Sequence, residues 1–381
     1  VMRWGAYMSL TGGMVIVGLS LGVSLPLVSL RLESWGYGQF AIGVMAAMPA
    51  IGVLLGSRLT GPLAAALGVP RALFLSLLAC ALSLVVIALL PFYPLWLLMR
   101  LLIGMTLTVV FVLGESWINQ LVEDQLRGRL VAVYGTGFAL SQLSGPLLLA
   151  VLGTADDRGF WVAVALLVLG SVMMLCQSGA PKIDQQGVSG SGIGKFCREQ
   201  PTIAWAVVLF AAFEAMVLTL MPVYMLREGF DQERALLMVS IVVVGDAALQ
   251  LPIGLLADRM SRTRLMLGCG VILLFSSLAL PVFLHSALVW PLLLLFGASA
   301  GGLYTLSLIM VGQHYRDAAL VRANAHMALL WGLGCLLGPL STGAASQWLS
   351  SHALPLLMAL GAAGFVVMAI RRPPFAQPGQ R

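Results

Sequence analysis

The chain has 381 residues, of which 60% are hydrophobic and only 9% charged, with 21 Lys and Arg against 15 Asp and Glu for a net charge of +6. A soluble domain carries about a quarter charged residues, so a water-soluble fold is excluded. At roughly 20 apolar residues per bilayer crossing, membrane spans and short connectors take up the whole length and leave no room for a sizeable soluble domain.

In chain order, apolar stretches predict spans at residues 7–30, 40–66, 71–91, 95–117, 130–153 and 160–178. The first is long enough to cross and is followed by others, so it reads as a span and not as a cleavable leader. Connectors such as Trp35-Gly36-Tyr37-Gly38 and Asp156-Asp157-Arg158-Gly159 carry turn chemistry. The one long polar stretch, 179–201, contains Gly190-Ser191-Gly192-Ile193-Gly194 and reads as a flexible linker. Six more spans follow, at 202–226, 235–257, 265–284, 290–312, 323–346 and 353–370. The expected fold is an all-α membrane protein with twelve transmembrane helices in two six-helix halves, 1–178 and 202–381, joined by the linker 179–201.

Loops facing the cytoplasm retain Lys and Arg. With the N-terminus inside, sixteen basic residues fall on the inner side and four on the outer, with Arg100 inside a span. Both termini and the linker are therefore expected in the cytoplasm. The positive charge reflects topology and not nucleic-acid binding, since no basic run is interleaved with aromatics. The five cysteines are scattered and mostly sit in apolar segments, which suggests packing and neither disulfides nor a metal site. No cofactor is implied, and no Gly-Lys-Ser/Thr loop is present to bind ATP.

The halves repeat in register. Gly61 pairs with Gly254, Arg71 with Arg264, Gly104 with Gly297, Arg129 with Arg322, and Gly145-Pro146 with Gly338-Pro339, every pair 193 positions apart. A shared offset across several helices indicates duplication, with parallel halves related by an axis along the membrane normal.

Between the eighth and ninth spans, Gly254-Leu255-Leu256-Ala257-Asp258-Arg259-Met260-Ser261-Arg262-Thr263-Arg264 resembles the loop motif Gly-x-x-x-Asp-Arg-x-Gly-Arg-Arg of the major facilitator superfamily, with Ser261 in the usual glycine position. The resemblance implies a cytoplasmic gate built from Gly254, Asp258, Arg259, Arg262 and Arg264. The first-half copy has Ala65 and Ala66 where Asp and Arg should stand, which leaves that half without the usual latch. An ordinary positive-inside loop is the plain alternative.

Arg100 and Gly104 resemble the family's Arg-x-x-x-Gly motif, which is associated with proton coupling. An arginine in hydrocarbon costs about 2.5 to 3.5 kcal/mol on insertion scales, although a position near a span's outer end would let it snorkel. Gly114-Glu115-Ser116-Trp117 resembles a sequence of the YcaD-like bacterial branch, with Glu115 either gating or pairing with Arg58, Arg71 or Arg129. Gly145-Pro146 partly resembles an antiporter motif, but its copy at Gly338-Pro339 is as good, so both read as hinge or helix packing.

Two further acids lie mid-span: Glu214 in the seventh span and Asp246 in the eighth. By the resemblance, helices such as the fourth and seventh line a central cavity, which would place Arg100 and Glu214 facing it. Asp246, Gln250, Gly254 and Asp258 form one stripe of the eighth span. Two Gly-x-Ser-x-Gly matches, at Gly18 and Gly297, sit within apolar helices and lack the strand and tight turn of a nucleophile elbow. They read as helix contact, and no enzyme activity is implied.

The leading expectation is a monomeric secondary transporter of the bacterial inner membrane. It would be a proton-coupled antiporter that exports a small amphipathic solute by alternating access, with Glu214, Arg100 and Asp246 serving proton coupling. Its partners would be a small-molecule substrate, the proton and the lipid bilayer. Two alternatives stay open: a proton symporter importing a small organic solute, and a non-transporting receptor or lipid-handling scaffold.

Overall fold

The computed structural model describes residues 4–121, 127–175, 192–315 and 317–375. Within its helices, Arg129, Gln250, Gly254 and Asp258 are described by backbone alone. The chain divides into two compact units, one formed by Val1–Gly36 with Met45–Gly187 and the other by Tyr37–Val44 with Val188–Arg381.

The first unit is built from α1 (Trp4–Ser34), α2 (Gln39–Leu67) apart from its first turn at 39–44, α3 (Val69–Leu89), α4 (Tyr93–Leu121), α5 (Arg127–Leu152) and α6 (Arg158–Leu175). After the short α7 (Ile193–Glu199), the second unit continues with α8 (Pro201–Thr219), α9 (Met221–Arg227), α10 (Gln232–Arg259), α11 (Arg262–Phe283), α12 (Val289–His314), α13 (Asp317–Trp348) and α14 (Ala353–Arg371). Together α8 and α9 make one span, interrupted at Leu220, because Pro222 has no N–H to bond the carbonyl one turn back. Among the described residues this makes twelve transmembrane helices.

Sequence sets the helix ends. Glycines at positive φ, Gly36 (78°) and Gly153 (77°), close α1 and α5 in a conformation that side chains resist. Proline stands in the first turn of α3 and of α8, where its missing N–H costs nothing. The Asp231 carboxylate accepts the Arg234 N–H at 2.8 Å and so caps α10.

Large apolar side chains point outward on many helices, for example Val151 (86% exposed), Leu360 (69%) and Phe275 (65%). Among the described residues, nine helices are long and apolar enough to cross a membrane, and Thr136–Leu152 and Arg158–Met174 are shorter apolar segments. Helices apolar on every side require lipid as solvent, since inside it each backbone group is bonded within its own helix.

The packing repeats as the sequence does. In the first unit α1 lies against α5 and α6, and α3 against α4 and α6. In the second α8 lies against α13 and α14, and α11 against α12 and α14. The crossing points are glycines. A Cβ on Gly104 would stand 2.1 Å from the Pro49 carbonyl oxygen, and one on Gly297 would stand 1.7 Å from that of Val242. Pro49 and Val242 are themselves 193 positions apart, as are Gly52 and Gly245, which meet Leu101 and Leu294.

At α1 and α8 the offset changes. Gly18 and Gly22 meet α5, and Val208 and Ala212 meet α13, at an offset of 190. The same crossing therefore recurs in both halves, while three residues separate the two registers. Pro146 leaves the Gln142 carbonyl without its helical donor, and that oxygen lies 1.9 Å from where a Gly22 Cβ would be.

At the end of the second unit that carries α7, the chain after α14 folds back. The Thr202 hydroxyl donates to the Arg372 carbonyl at 2.6 Å, and the Phe375 N–H donates to the Gln200 side chain at 3.1 Å. The Phe375 ring lies 4.2 Å from His314. Phe196 of α7 covers the buried His326 at 5.5 Å.

Candidate functional site

The second unit gathers the chemistry. On α8, Phe210 and Glu214 are one turn apart and so share a face. On α12, Gly301 and Tyr304 do the same, and on α13 so do Trp331 and Cys335. The rings of Phe210 and Tyr304 stack at 5.0 Å and 13°, while Trp331 meets Tyr304 edge-on at 4.9 Å and Phe210 at 5.5 Å. Phe213 backs the group against Phe296 at 5.0 Å. Offset stacks and T-shaped pairs at these distances suit the ring quadrupoles.

Two carboxylates join this cluster. Asp246 of α10 presses its Oδ1 onto Gly301, where a Cβ would stand only 1.7 Å away. Among the described residues, the charge that bears on Glu214 is that of Asp246. Cys335 lies beside Glu214, bonded to the Ala211 carbonyl at 3.7 Å and to Trp331. Glu214, Asp246, Tyr304 and Trp331 are half-buried, and Phe210 is 3% exposed. The helices α8, α10, α12 and α13 thus bring two acids near a cluster of three aromatic rings.

Arg100 belongs to the first unit and is 1% exposed, so it does not snorkel. Its neighbour is Cys80 of α3, and its Nε has no hydrogen-bond partner among the described residues. Glu115, also in the first unit, is exposed on α4 near the buried Tyr134.

At the predicted gate, Gly254 and Asp258 lie outside the described side-chain packing, while Arg259 and Arg264 are exposed. Arg262 donates to the Gln313 side chain. Around that contact, between the ends of α10 and α12 and the start of α11, lies a cleft of about 420 Å³ that Phe375 helps to line. Gly145 crosses α1 at Gly22, Gly338 crosses α8 at Ala212, and Pro146 and Pro339 follow them. Among the described residues, no group of three His, Cys, Asp or Glu could hold a metal ion.

Sequence reasoning did not foresee Phe210, Trp331 and Cys335, nor the proximity of Asp246 to Glu214. A signal was present for the latter: the Gly297-x-x-x-Gly301 spacing was read as helix contact, and it also makes room for a carboxylate.

The profile of the Major Facilitator Superfamily matches residues 10–244 and 203–381. The chain is 24% identical over 341 residues to an uncharacterized MFS-type transporter of Bacillus subtilis, YfkF, covering 86% of this chain and 85% of that protein. It is also 24% identical over 365 residues to an uncharacterized MFS-type transporter of Escherichia fergusonii, YcaD, covering 96% and 95%. Among solved structures, the D-xylose-proton symporter superposes with a TM-score of 0.75 at 17% identity, covering 97% of both chains. The nucleoside transporter NupG does so with 0.74 at 16%, covering 96% of this chain and 98% of that one. With the profile matched along nearly its whole length, in two overlapping passes, this chain belongs to the major facilitator superfamily and is a multi-pass membrane transporter of the secondary type, not an enzyme.

Proposed function

We infer that the protein is a proton-coupled antiporter of the bacterial inner membrane, with both termini in the cytoplasm, and that it exports a small amphipathic solute by alternating access as a monomer. The observation that carries this reading is the pair Glu214 and Asp246 in the middle of the second unit. Two carboxylates whose charges bear on each other within the spans are costly, and such intramembrane acids mark proton or ion pathways. A proton bound to this pair in one conformation and released in the other, in exchange for solute, is antiport. Arg100 serves coupling from the first unit, and Asp258, Arg259, Arg262, Arg264, Gly254 and Glu115 serve the cytoplasmic gate.

The test is flux through the purified protein in proteoliposomes with a pH gradient of either sign, using a panel of organic amines, sugars, carboxylates and nucleosides. An acid lumen that drives accumulation of a panel member supports antiport. Accumulation driven by an alkaline lumen would make the protein a symporter, and a folded protein with no gradient-driven flux of any panel member would remove the transport reading altogether.

Orientation has its own check. In a functional background without native cysteines, Ser191→Cys is expected to react with impermeant maleimide only from the cytoplasm, and Asp157→Cys only from outside. Reaction of both from one face would undo the assignment.

A further inference from the structure

We propose that Tyr224, Glu228 and His352 form a proton-operated clasp at the end of the second unit opposite α7, closed when His352 is charged and loosened when it is neutral. Tyr224 lies on α9, the short segment that Leu220 and Pro222 separate from the Glu214-bearing α8, and Glu228 ends that segment. His352 caps the start of α14. The Tyr224 hydroxyl lies 2.9 Å from His352 Nδ1, and the Glu228 Oε1 lies 3.4 Å from the same nitrogen. The backbone N–H of His352 donates to the Ser350 hydroxyl at 3.2 Å, which anchors the residue that carries the ring.

The first unit ties the same junction with different chemistry. There the end of the first span meets the connector before the sixth through Arg31, which donates to the Asp156 carbonyl at 2.7 Å and pairs with Asp157 at 3.0 Å. At the 193-residue offset Arg31 corresponds to Tyr224 and Gly159 to His352, so each half fastens its first span to its sixth at this point. Arginine does not lose its proton in a protein, and the first tie has no positive charge to shed as pH rises. Histidine is the side chain that changes charge between about pH 5 and 8. The duplicated fold therefore carries one fixed tie and one titratable tie.

One ring nitrogen has two partners, and its proton decides between them. With Nδ1 bare, it accepts the Tyr224 hydroxyl proton, and the Glu228 carboxylate faces a lone pair. With the ring charged, Nδ1 carries a hydrogen, Tyr224 no longer donates to it, and Glu228 becomes its ion-pair partner. The His352 side chain is 37% exposed and that of Glu228 17%. The ring thus exchanges protons with solution, while the carboxylate sits where a new charge counts for more than it would at an open surface. Tyr224 is buried, and the charge of Glu228 bears on it. Among the described residues, no other titratable group bonds His352. Arg227, Asp231, Glu233 and Arg234 are exposed. Asp231 caps α10, Arg234 lies over Phe230 and Trp290, His285 stacks on Phe230, and the first turn of α14 holds no acid. The charged contact is present in acid and is lost as pH rises through the titration of the ring, which frees α9 to shift about its break at Leu220.

The experiment reads the opening of α9 through the reaction of a buried thiol. Met225 is fully buried on α9. In the full-length detergent-solubilised protein without native cysteines, Met225→Cys is reacted with a methanethiosulfonate reagent at about pH 5.5 and about pH 8.5, with and without Glu228→Gln. Comparing the two proteins at one pH cancels the titration of the thiol itself. Glu228→Gln is expected to speed the reaction about two- to fivefold in acid and to leave it unchanged at the alkaline pH. His352→Gln should speed it likewise in acid, so that one variant that fails to fold still leaves the other to decide. Leu303→Cys, buried on α12, reports general loosening and should respond to neither substitution. In the first unit, Asp157→Asn should speed the reaction of the buried Leu32→Cys by the same factor at both pH values. A ratio at Met225→Cys that does not differ between the two pH values overturns the proposal. So does an equal acceleration at Leu303→Cys, or an equal fall with pH at Leu32→Cys.

Discussion

Glu214→Gln is expected to abolish the acceleration of flux by a proton gradient while leaving folding and membrane abundance intact. Glutamine keeps the shape and hydrogen-bonding reach of the side chain and removes only its ability to gain and lose a proton. The cluster around it should stay packed, because its rings and the Asp246 contact with Gly301 do not depend on a charge at 214. Coupling requires that proton affinity differ between conformations, and a neutral amide has none to vary. Exchange of solute without a gradient is expected to persist at a reduced rate. Asp246→Asn should be milder, since Asp246 is confined against the α12 backbone and asparagine fills the same space. Full gradient-driven transport by Glu214→Gln protein would remove Glu214 from the mechanism. Loss of coupling in Asp246→Asn alone would move the proton site to α10. Flux under an imposed pH gradient, with abundance read from the same membranes, decides between them.

The second large effect concerns structure. Gly297→Ala is expected to lower stability by about 1–3 kcal/mol as an overpacked contact, and Gly297→Leu to prevent folding. The new Cβ would stand 1.7 Å from the Val242 carbonyl oxygen, a backbone atom that no rotamer change can move. The helices α10 and α12 would have to separate along their whole crossing. Gly268→Ala in α11 is the matched control: nothing lies within 4 Å of its Cβ position, and alanine favours a helix over glycine by about 1 kcal/mol. Melting temperature in detergent should fall for the first substitution and hold or rise for the second. Equal melting of the two variants would mean that the crossing is looser than the backbone distances describe.

The sequence carried nearly all of the fold, because lipid imposes one simple demand. A span must be apolar and roughly 20 residues long, and the predicted 71–91, 202–226 and 353–370 became Val69–Leu89, Pro201–Arg227 and Ala353–Arg371 with only a break at Leu220. The internal repeat was legible as an offset of 193, but not its change to 190 in the first helix of each half, because helix contacts and not residue identities mark that register. Neither α7 nor the return of the chain at Phe375 was legible. Their contacts are single rings and single hydrogen bonds, which leave no period in the sequence.

The site was half legible. A charge in a span is costly enough to stand out, so Arg100, Glu214 and Asp246 were conspicuous in the sequence. Their neighbours within each unit were not legible: nothing in the hydropathy pointed to Asp246 bearing on Glu214 or to Cys80 beside Arg100. Hydropathy reports depth along a helix and says nothing of which neighbour a side chain meets.

Asp246 and Gly301 are bound to a shared ancestry. Their counterparts in the first half are Val53 and Thr108, whose hydroxyl bonds the Gly104 carbonyl at 2.8 Å. Acid and threonine together would crowd each other, because a Cβ at position 301 would stand 1.7 Å from the Asp246 Oδ1 and the carboxylate would have to turn away. The easier route between the two states runs through glycine at the α12 position with an uncharged residue on the facing helix, since that pairing asks nothing to move. The charge asymmetry of the two halves is thus tied to a change of bulk as well as to a change of charge.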